Sequence, residues 1–135
     1  MKVLVDTSGW SLALRRKNVN YSCEVVRDLS QFISDSMVVM VGPVRQEVLS
    51  GISREDVFAD LRTKLEPFDD LIIATNDYER AAEFNNTCRR NGVQGSHTDF
   101  LICAIAYNHD LLIYTTDDDF TQYSKLLPIH LYRGR

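Results

Sequence analysis

The sequence predicts an α/β fold, a three-layer α/β/α sandwich around a central, mainly parallel sheet, and three observations predict it. The short apolar runs KVLV, MVVMV and LLIY do not alternate with polar residues, as expected of strands covered on both faces. The segments between them carry apolar residues three and four apart, the spacing of an amphipathic helix. The resulting order of strand and helix is that of a parallel sheet with crossover helices. A chain of 135 residues without internal repeat or linker fits one domain spanning 1–135.

Lys2–Val5 reads as the first buried strand, and Asp6, Thr7 or Ser8 can cap the helix that follows. Gly9–Lys17 is expected to be a short helix ending in Arg15-Arg16-Lys17, where cations meet the negative end of the helix dipole. Asn18–Asn20 is a loop, and Tyr21–Ser34 a helix with Val25, Val26, Leu29, Phe32 and Ile33 on its apolar face. Met37–Val41 is the second strand, stopped by Gly42-Pro43, and the next helix runs from Pro43 to Ser50 with Gly51 at its end. Ser53-Arg-Glu-Asp opens a helix reaching Leu65, Pro67 breaks the chain, and Leu71–Ile73 is a third strand or an edge segment. Asp77–Arg90 is a helix, Asn91–Gly95 a loop, and Thr98–His109, apolar on most sides, a central helix. Leu111–Tyr114 is a strand, Phe120–Leu127 a short helix, and Ile129–Tyr132 the last strand.

Composition narrows the function. At 44% hydrophobic and 25% charged residues the chain is of ordinary globular type, which excludes disorder, collagen and coiled coil. A net charge of −4 is wrong for nonspecific nucleic-acid binding through a broad basic face. It leaves room for a nucleic-acid substrate if a metal supplies positive charge. Cys23, Cys88 and Cys103 form no close pair, which fits a reducing compartment and small core residues, and not a disulfide framework or zinc site. The opening residues lack the apolar core of a signal peptide and no run has transmembrane length, so a soluble, cytoplasmic protein is expected.

The acids carry the chemical signal. In an open parallel sheet, ligands gather beyond the carboxyl ends of the strands. Asp6 ends the first strand, Asp117, Asp118 and Asp119 follow LLIY, Glu47 lies in the helix after the second strand, and Asp99 opens the apolar helix. Each has an ordinary structural use. Asp6 suits an N-cap, Glu47 a helix surface (its apolar neighbours also allow partial burial), Asp99 a helix dipole and the Asp run a capped turn. Together they bring carboxylates from four segments to one sheet edge, where repulsion is relieved by protonation or a divalent cation. An all-oxygen set suits Mg²⁺ or Mn²⁺, and such sites recur where phosphodiesters are cut. His97, His109 and His130 are scattered and read as surface or capping residues, contact with a substrate being the lesser alternative for His97, which neighbours Asp99. Trp10 reads as core or interface. The clusters Arg15-Arg16-Lys17 and Arg89-Arg90 fit solvated helix ends or contacts to a phosphate backbone.

VDTSGW at 5–10, Glu47 in EVLSG, RRNGVQGSHTDFLICAIA at 89–106 and YTTDDDF at 114–120 resemble the PIN-domain nucleases, most of all the VapC-type toxins of toxin–antitoxin pairs. The resemblance implies a Mg²⁺- or Mn²⁺-dependent ribonuclease, a homodimer, and inhibition by a small antitoxin partner. By position it implies Asp6, Glu47, Asp99 and Asp117 as the catalytic acids. Asp6, Asp99 and Asp117 would hold the metal, Asp119 would be an accessory acid, and Thr7, Ser8 and Thr115 supporting hydroxyls. The register of Thr115, Asp117, Asp119 and Phe120 turns Asp118 elsewhere. The helix after Asp99 departs slightly, with Cys103 before Ala104. The competing reading is a catalytically weak PIN-fold module that binds RNA or a partner. A receiver domain lacks its acceptor Asp and Lys here, a haloacid-dehalogenase-like phosphatase would need an acid at Ser8, and no Gly-rich phosphate loop follows a strand.

Overall fold

This computed structural model describes residues 1–15 and 19–134, with the side chains of 15 and 19–23 set aside. The cationic cluster at Arg15, Arg16 and Lys17, the Asn18 start of the expected loop and the Cys23 thiol therefore fall outside the described residues.

The chain runs β1 (Val3–Val5), α1 (Thr7–Arg15), α2 (Val19–Ser34), β2 (Val38–Val39), α3 (Gly42–Leu49) and α4 (Glu55–Leu65). It continues through α5 (Thr75–Arg90), α6 (His97–Asn108), β3 (Leu112–Tyr114), α7 (Asp119–Leu126) and β4 (His130–Leu131). The four strands form one sheet in the order β2-β1-β3-β4, every neighbour parallel. The predicted α/β/α sandwich with a parallel sheet is the fold observed.

Corrections to the predicted elements are local. Of the two readings of Leu71–Ile73, strand or edge segment, the edge segment is observed: beside β2 there is a single parallel bridge, Met40 to Asp70, with Leu71 N–H donating to the Met40 carbonyl at 2.8 Å. Arg45 holds that edge in place of a ladder, its Nε on Asp70 Oδ1 at 3.1 Å and its other nitrogens on the Leu65 and Phe68 carbonyls. Helix α2 begins at Val19, so Val19 and Asn20, expected in a loop, are helical. Helix α5 begins at Thr75, two residues early, because the Asp77 carboxylate accepts the Ala74 N–H at 2.9 Å and closes the first turn.

Right-handed crossovers fix the layers. From β1 through β2 to the Asp70 edge the chain moves one way across the sheet, which puts α1–α4 on one face. From there it returns past β1 to β3 and β4, which puts α5–α7 on the other. The packing agrees: α1 meets α2 and α3, while α5 meets α6 and α7. Val3, Leu4, Val5 and Ile113 are buried between the layers with Ile102, Ile105 and Phe120. Trp10 is a core residue, edge-on to Phe68 at 5.2 Å. The chain reverses its course across the sheet between β1 and β3, so the crevice for a ligand lies beyond the carboxyl ends of those two strands.

Candidate metal centre

Asp6 is the first residue past β1 and is 5% exposed. Its backbone is drawn into the sheet, N–H on the Tyr114 carbonyl at 2.8 Å, and its own carbonyl accepts from Gly9 and Trp10 at the start of α1. The side chain is left facing the crevice between β1 and β3. There Oδ2 accepts the Thr115 hydroxyl at 2.9 Å and the Ser8 hydroxyl at 3.1 Å. The same two hydroxyls lie 3.2 Å apart and accept the backbone N–H groups of Asp117 and Thr116, both at 3.0 Å. This small lattice ties the exit of β1 to the exit of β3 and fixes the path of the chain into Asp117.

Asp117 turns back on the next helix, its Oδ1 accepting the Asp119 N–H at 2.9 Å. Asp99 arrives from the opposite layer. Ser96 caps α6 by accepting the Asp99 N–H at 3.0 Å, which sets the first turn, and Tyr123 on α7 donates its hydroxyl to Asp99 Oδ2 at 2.7 Å. Glu47 is exposed on α3, so its apolar neighbours do not bury it; it accepts the Thr7 hydroxyl at 2.6 Å, one residue from Asp6.

Carboxylate oxygens of Asp99, Asp117 and Asp119 lie within 4.8 Å of one another. The tight set therefore contains two of the three predicted ligands plus the accessory acid Asp119. Asp6 lies beside this set, not within it, near enough for its charge to be felt at Asp99. Burial pushes the Asp6 carboxyl above the ordinary carboxylate range, with the Asp117 charge adding to it and the Thr115 and Ser8 hydroxyls opposing. Burial likewise raises Asp99, joined by the charges of Asp6 and Asp117 and opposed by the Tyr123 hydroxyl. Asp118 is exposed, makes no side-chain cap to α7 and is not among the three acids whose oxygens converge.

Among the described residues no Lys, Arg or His forms an ion pair with Asp6, Glu47, Asp99, Asp117 or Asp119. Converging carboxylates that repel one another and meet no protein cation fit a hard divalent ion with oxygen ligands. They do not fit zinc, which favours nitrogen and sulfur. Cys103, one turn beyond Asp99, is fully buried and burial holds its thiol well above the usual range, so it is an inert core residue.

Tyr123 and Gly95 escaped sequence reasoning. Tyr123 is fully buried, and a buried tyrosine needs a partner for its hydroxyl, which is the signal that could have flagged it. Gly95 leaves the room: a Cβ there would collide with the Tyr123 hydroxyl and come within 2.8 Å of its Cζ and 3.0 Å of Phe100 Cε2.

The fold and site define a class, doubly wound α/β proteins with an acid cluster at the carboxyl edge of a parallel sheet. Within it, the chain belongs to the PIN domain family, whose model matches residues 3–126. No curated protein matches the sequence at a significant level. Similar solved structures include FitAcB from Neisseria gonorrhoeae, 20% identical with a TM-score of 0.76 over 97% of this chain and 96% of that one. VapBC2 from Rickettsia felis, solved bound to a DNA fragment from its promoter, is 14% identical with a TM-score of 0.79 over 100% of both chains. VapBC-1 from nontypeable Haemophilus influenzae is 15% identical, with a TM-score of 0.74 over 98% and 97%.

Proposed function

We propose that the protein is a metal-dependent endoribonuclease and the toxin of a toxin–antitoxin pair. The observation that carries the nuclease reading is the convergence of Asp99, Asp117 and Asp119, with Asp6 beside them, at the sheet switch point without a protein cation. Membership of the PIN family supports it. The toxin reading rests on the resemblance to VapC-type toxins, which the VapBC names of two matched structures support.

Asp6, Asp99 and Asp117 would hold Mg²⁺, with Mn²⁺ substituting and Asp119 completing the oxygen set. A bound ion supplies positive charge at the phosphoryl oxygens and lowers the pKa of water. The chain's own residues do the rest. Tyr123 fixes the Asp99 carboxylate, and Thr115 and Ser8 fix that of Asp6. Glu47, held by the Thr7 hydroxyl, orients the attacking water and takes its proton. Attack by water, without a 2′-hydroxyl, leaves 5′-phosphate and 3′-hydroxyl ends.

An antitoxin partner would enter the acid cluster with Arg or Lys, replacing the metal's charge. The proposed protein is a cytoplasmic homodimer. In the 21–65 region Val26 and Ile33 on α2 are the exposed large apolar residues among those described, and they supply an apolar contact for assembly. None of the described helices is long and apolar enough to cross a membrane.

The test is cleavage of total RNA in Mg²⁺ and in Mn²⁺ by wild type beside Asp6→Asn and Asp99→Asn, with the product ends mapped. Cleavage by wild type with 5′-phosphate ends is expected, and each substitution should cost orders of magnitude because the acids act as a unit. Products with 2′,3′-cyclic phosphate, or equal cleavage by all three proteins, would sink the mechanism.

A further inference from the structure

Helix α5 carries two different exposed faces. One is charged and self-paired: Arg80 binds Glu83 at 3.1 Å and lies over the Tyr107 ring at 5.0 Å. The other, Tyr78, Ala82, Asn85, Asn86 and Arg89 at helical spacings of three and four, holds no carboxylate. Tyr78, Ala82, Asn85 and Asn86 line one wall of a groove of about 290 Å³, with His97 and Leu101 of α6 on the other side and Arg89 one turn beyond Asn85 and Asn86.

The hairpin of α5 and α6 puts the Asn86 and His97 end of this groove at the same end as Asp99. Asn108 near the end of α6 donates to Asp77 in the first turn of α5 at 2.8 Å, so the two helices run antiparallel. The opposite end of the hairpin joins Arg89 and Arg90, in the last turn of α5, to Asp99, in the first turn of α6. Both arginines are exposed, and neither forms an ion pair with a described residue. The clustered acids repel an RNA backbone, and these two cations, Arg90 hydrogen-bonded to Thr87 Oγ1 at 3.4 Å, lie at the same end of the hairpin.

We propose that the α5–α6 groove is the track of the single-stranded RNA beside the cleavage site, a reading that rests on the ribonuclease function proposed above. Arg89 and Arg90 bind backbone phosphates at the end nearest the acids. Roughly 16 Å further along the helix, at 1.5 Å per residue, Tyr78, 56% exposed, stacks an unpaired base. Asn85, Asn86 and His97 offer donors and acceptors to base edges between them. The walls also hold Ala81, Ala82, Phe100 and Leu101, so a second copy of the chain is the other occupant that the test separates.

The test measures binding of a fluorescent, mixed-sequence 12-nucleotide RNA in EDTA, where cleavage is stopped, across a range of salt. Arg89→Ala/Arg90→Ala should bind about 10- to 100-fold more weakly at low salt, with the salt slope reduced by about 1.4, near 0.7 for each lost phosphate contact. Tyr78→Ala should bind at least about fivefold more weakly with the slope unchanged. Arg89→Lys/Arg90→Lys should restore most of the binding, and Arg27→Ala, on α2 in the other layer, should match wild type. Thermal melts and light-scattering masses are recorded for each variant. Wild-type binding by both the double-alanine and Tyr78→Ala proteins overturns the proposal, as does absence of binding by the wild type. A fall in assembly mass with RNA affinity unchanged would assign the groove to a second copy and overturn it too. Wild-type cleavage in Mn²⁺ separates the two readings: with cleavage intact and the variants unaffected, the groove alone is refuted.

Discussion

Tyr123→Phe removes one oxygen and tests how the proposed metal centre is held. The hydroxyl donates to Asp99 Oδ2 at 2.7 Å, and the ring is fully buried, 5.1 Å from Phe100 and 5.2 Å from Phe120. Phenylalanine keeps both ring contacts, so the packing survives and stability should change by only about 1 kcal/mol, the usual net worth of one hydrogen bond. The site should suffer more. A partner that orients a ligating carboxylate is worth ~10- to 100-fold in metal affinity. The sign of the pH effect follows from the same bond: the hydroxyl opposes the rise that burial, Asp6 and Asp117 impose on Asp99. Its loss lets the Asp99 pKa climb further, so Mn²⁺ binding should need a higher pH. Calorimetric Mn²⁺ titrations of wild type and Tyr123→Phe at several pH values measure both quantities. Equal affinity and an equal pH midpoint, in a protein where Asp99→Asn abolishes binding, would refute the idea that Tyr123 positions Asp99.

Two further perturbations probe the frame of the site. Gly95→Ala drives a methyl into the fully buried Tyr123 and Phe100 rings, an overpacking worth roughly 1–3 kcal/mol. Urea unfolding should show that loss, and cleavage should fall at least as far as in Tyr123→Phe, because the displaced ring carries the hydroxyl with it. At the other end of the hairpin, burial works to raise Asp77, but the Ala74 N–H, Asn108 and His109 outweigh it and hold its pKa below the ordinary value. A lowered native pKa stabilises the fold above the unfolded pKa, and the effect is lost as pH falls through the native one. Asp77→Ala should therefore cost about 1–3 kcal/mol at neutral pH, and the gap to wild type should close in acid. A gap that stays constant from pH 7 to pH 3 would show that the carboxylate charge is not involved.

The fold was legible because parallel strands buried on both faces must be continuous apolar runs, and β1 and β3 at Val3–Val5 and Leu112–Tyr114 are nothing else. The acids at Asp6 and Asp117 were legible for a related reason. Asp6 is the first residue past β1 and Asp117 the first acid past β3, where the crevice of a parallel sheet lies. Leu71–Ile73 stayed open between strand and edge segment because an apolar triplet fits both a strand and a coil packed on an edge. Arg45, far away in sequence, decided for the coil by binding the carbonyls of Leu65 and Phe68. Tertiary structure alone gathered Asp99, Asp117 and Asp119 into the tight set and left Asp6 beside it, because α6 and α7 converge from the layer opposite α1. It alone paired Tyr123 with Asp99 across 24 residues and cleared the space at Gly95 that lets them meet. Local sequence fixes which residues lie at the end of an element, since that depends on short-range periodicity. Which ends come within a few ångströms depends on how the layers pack, and no window along the chain contains that information.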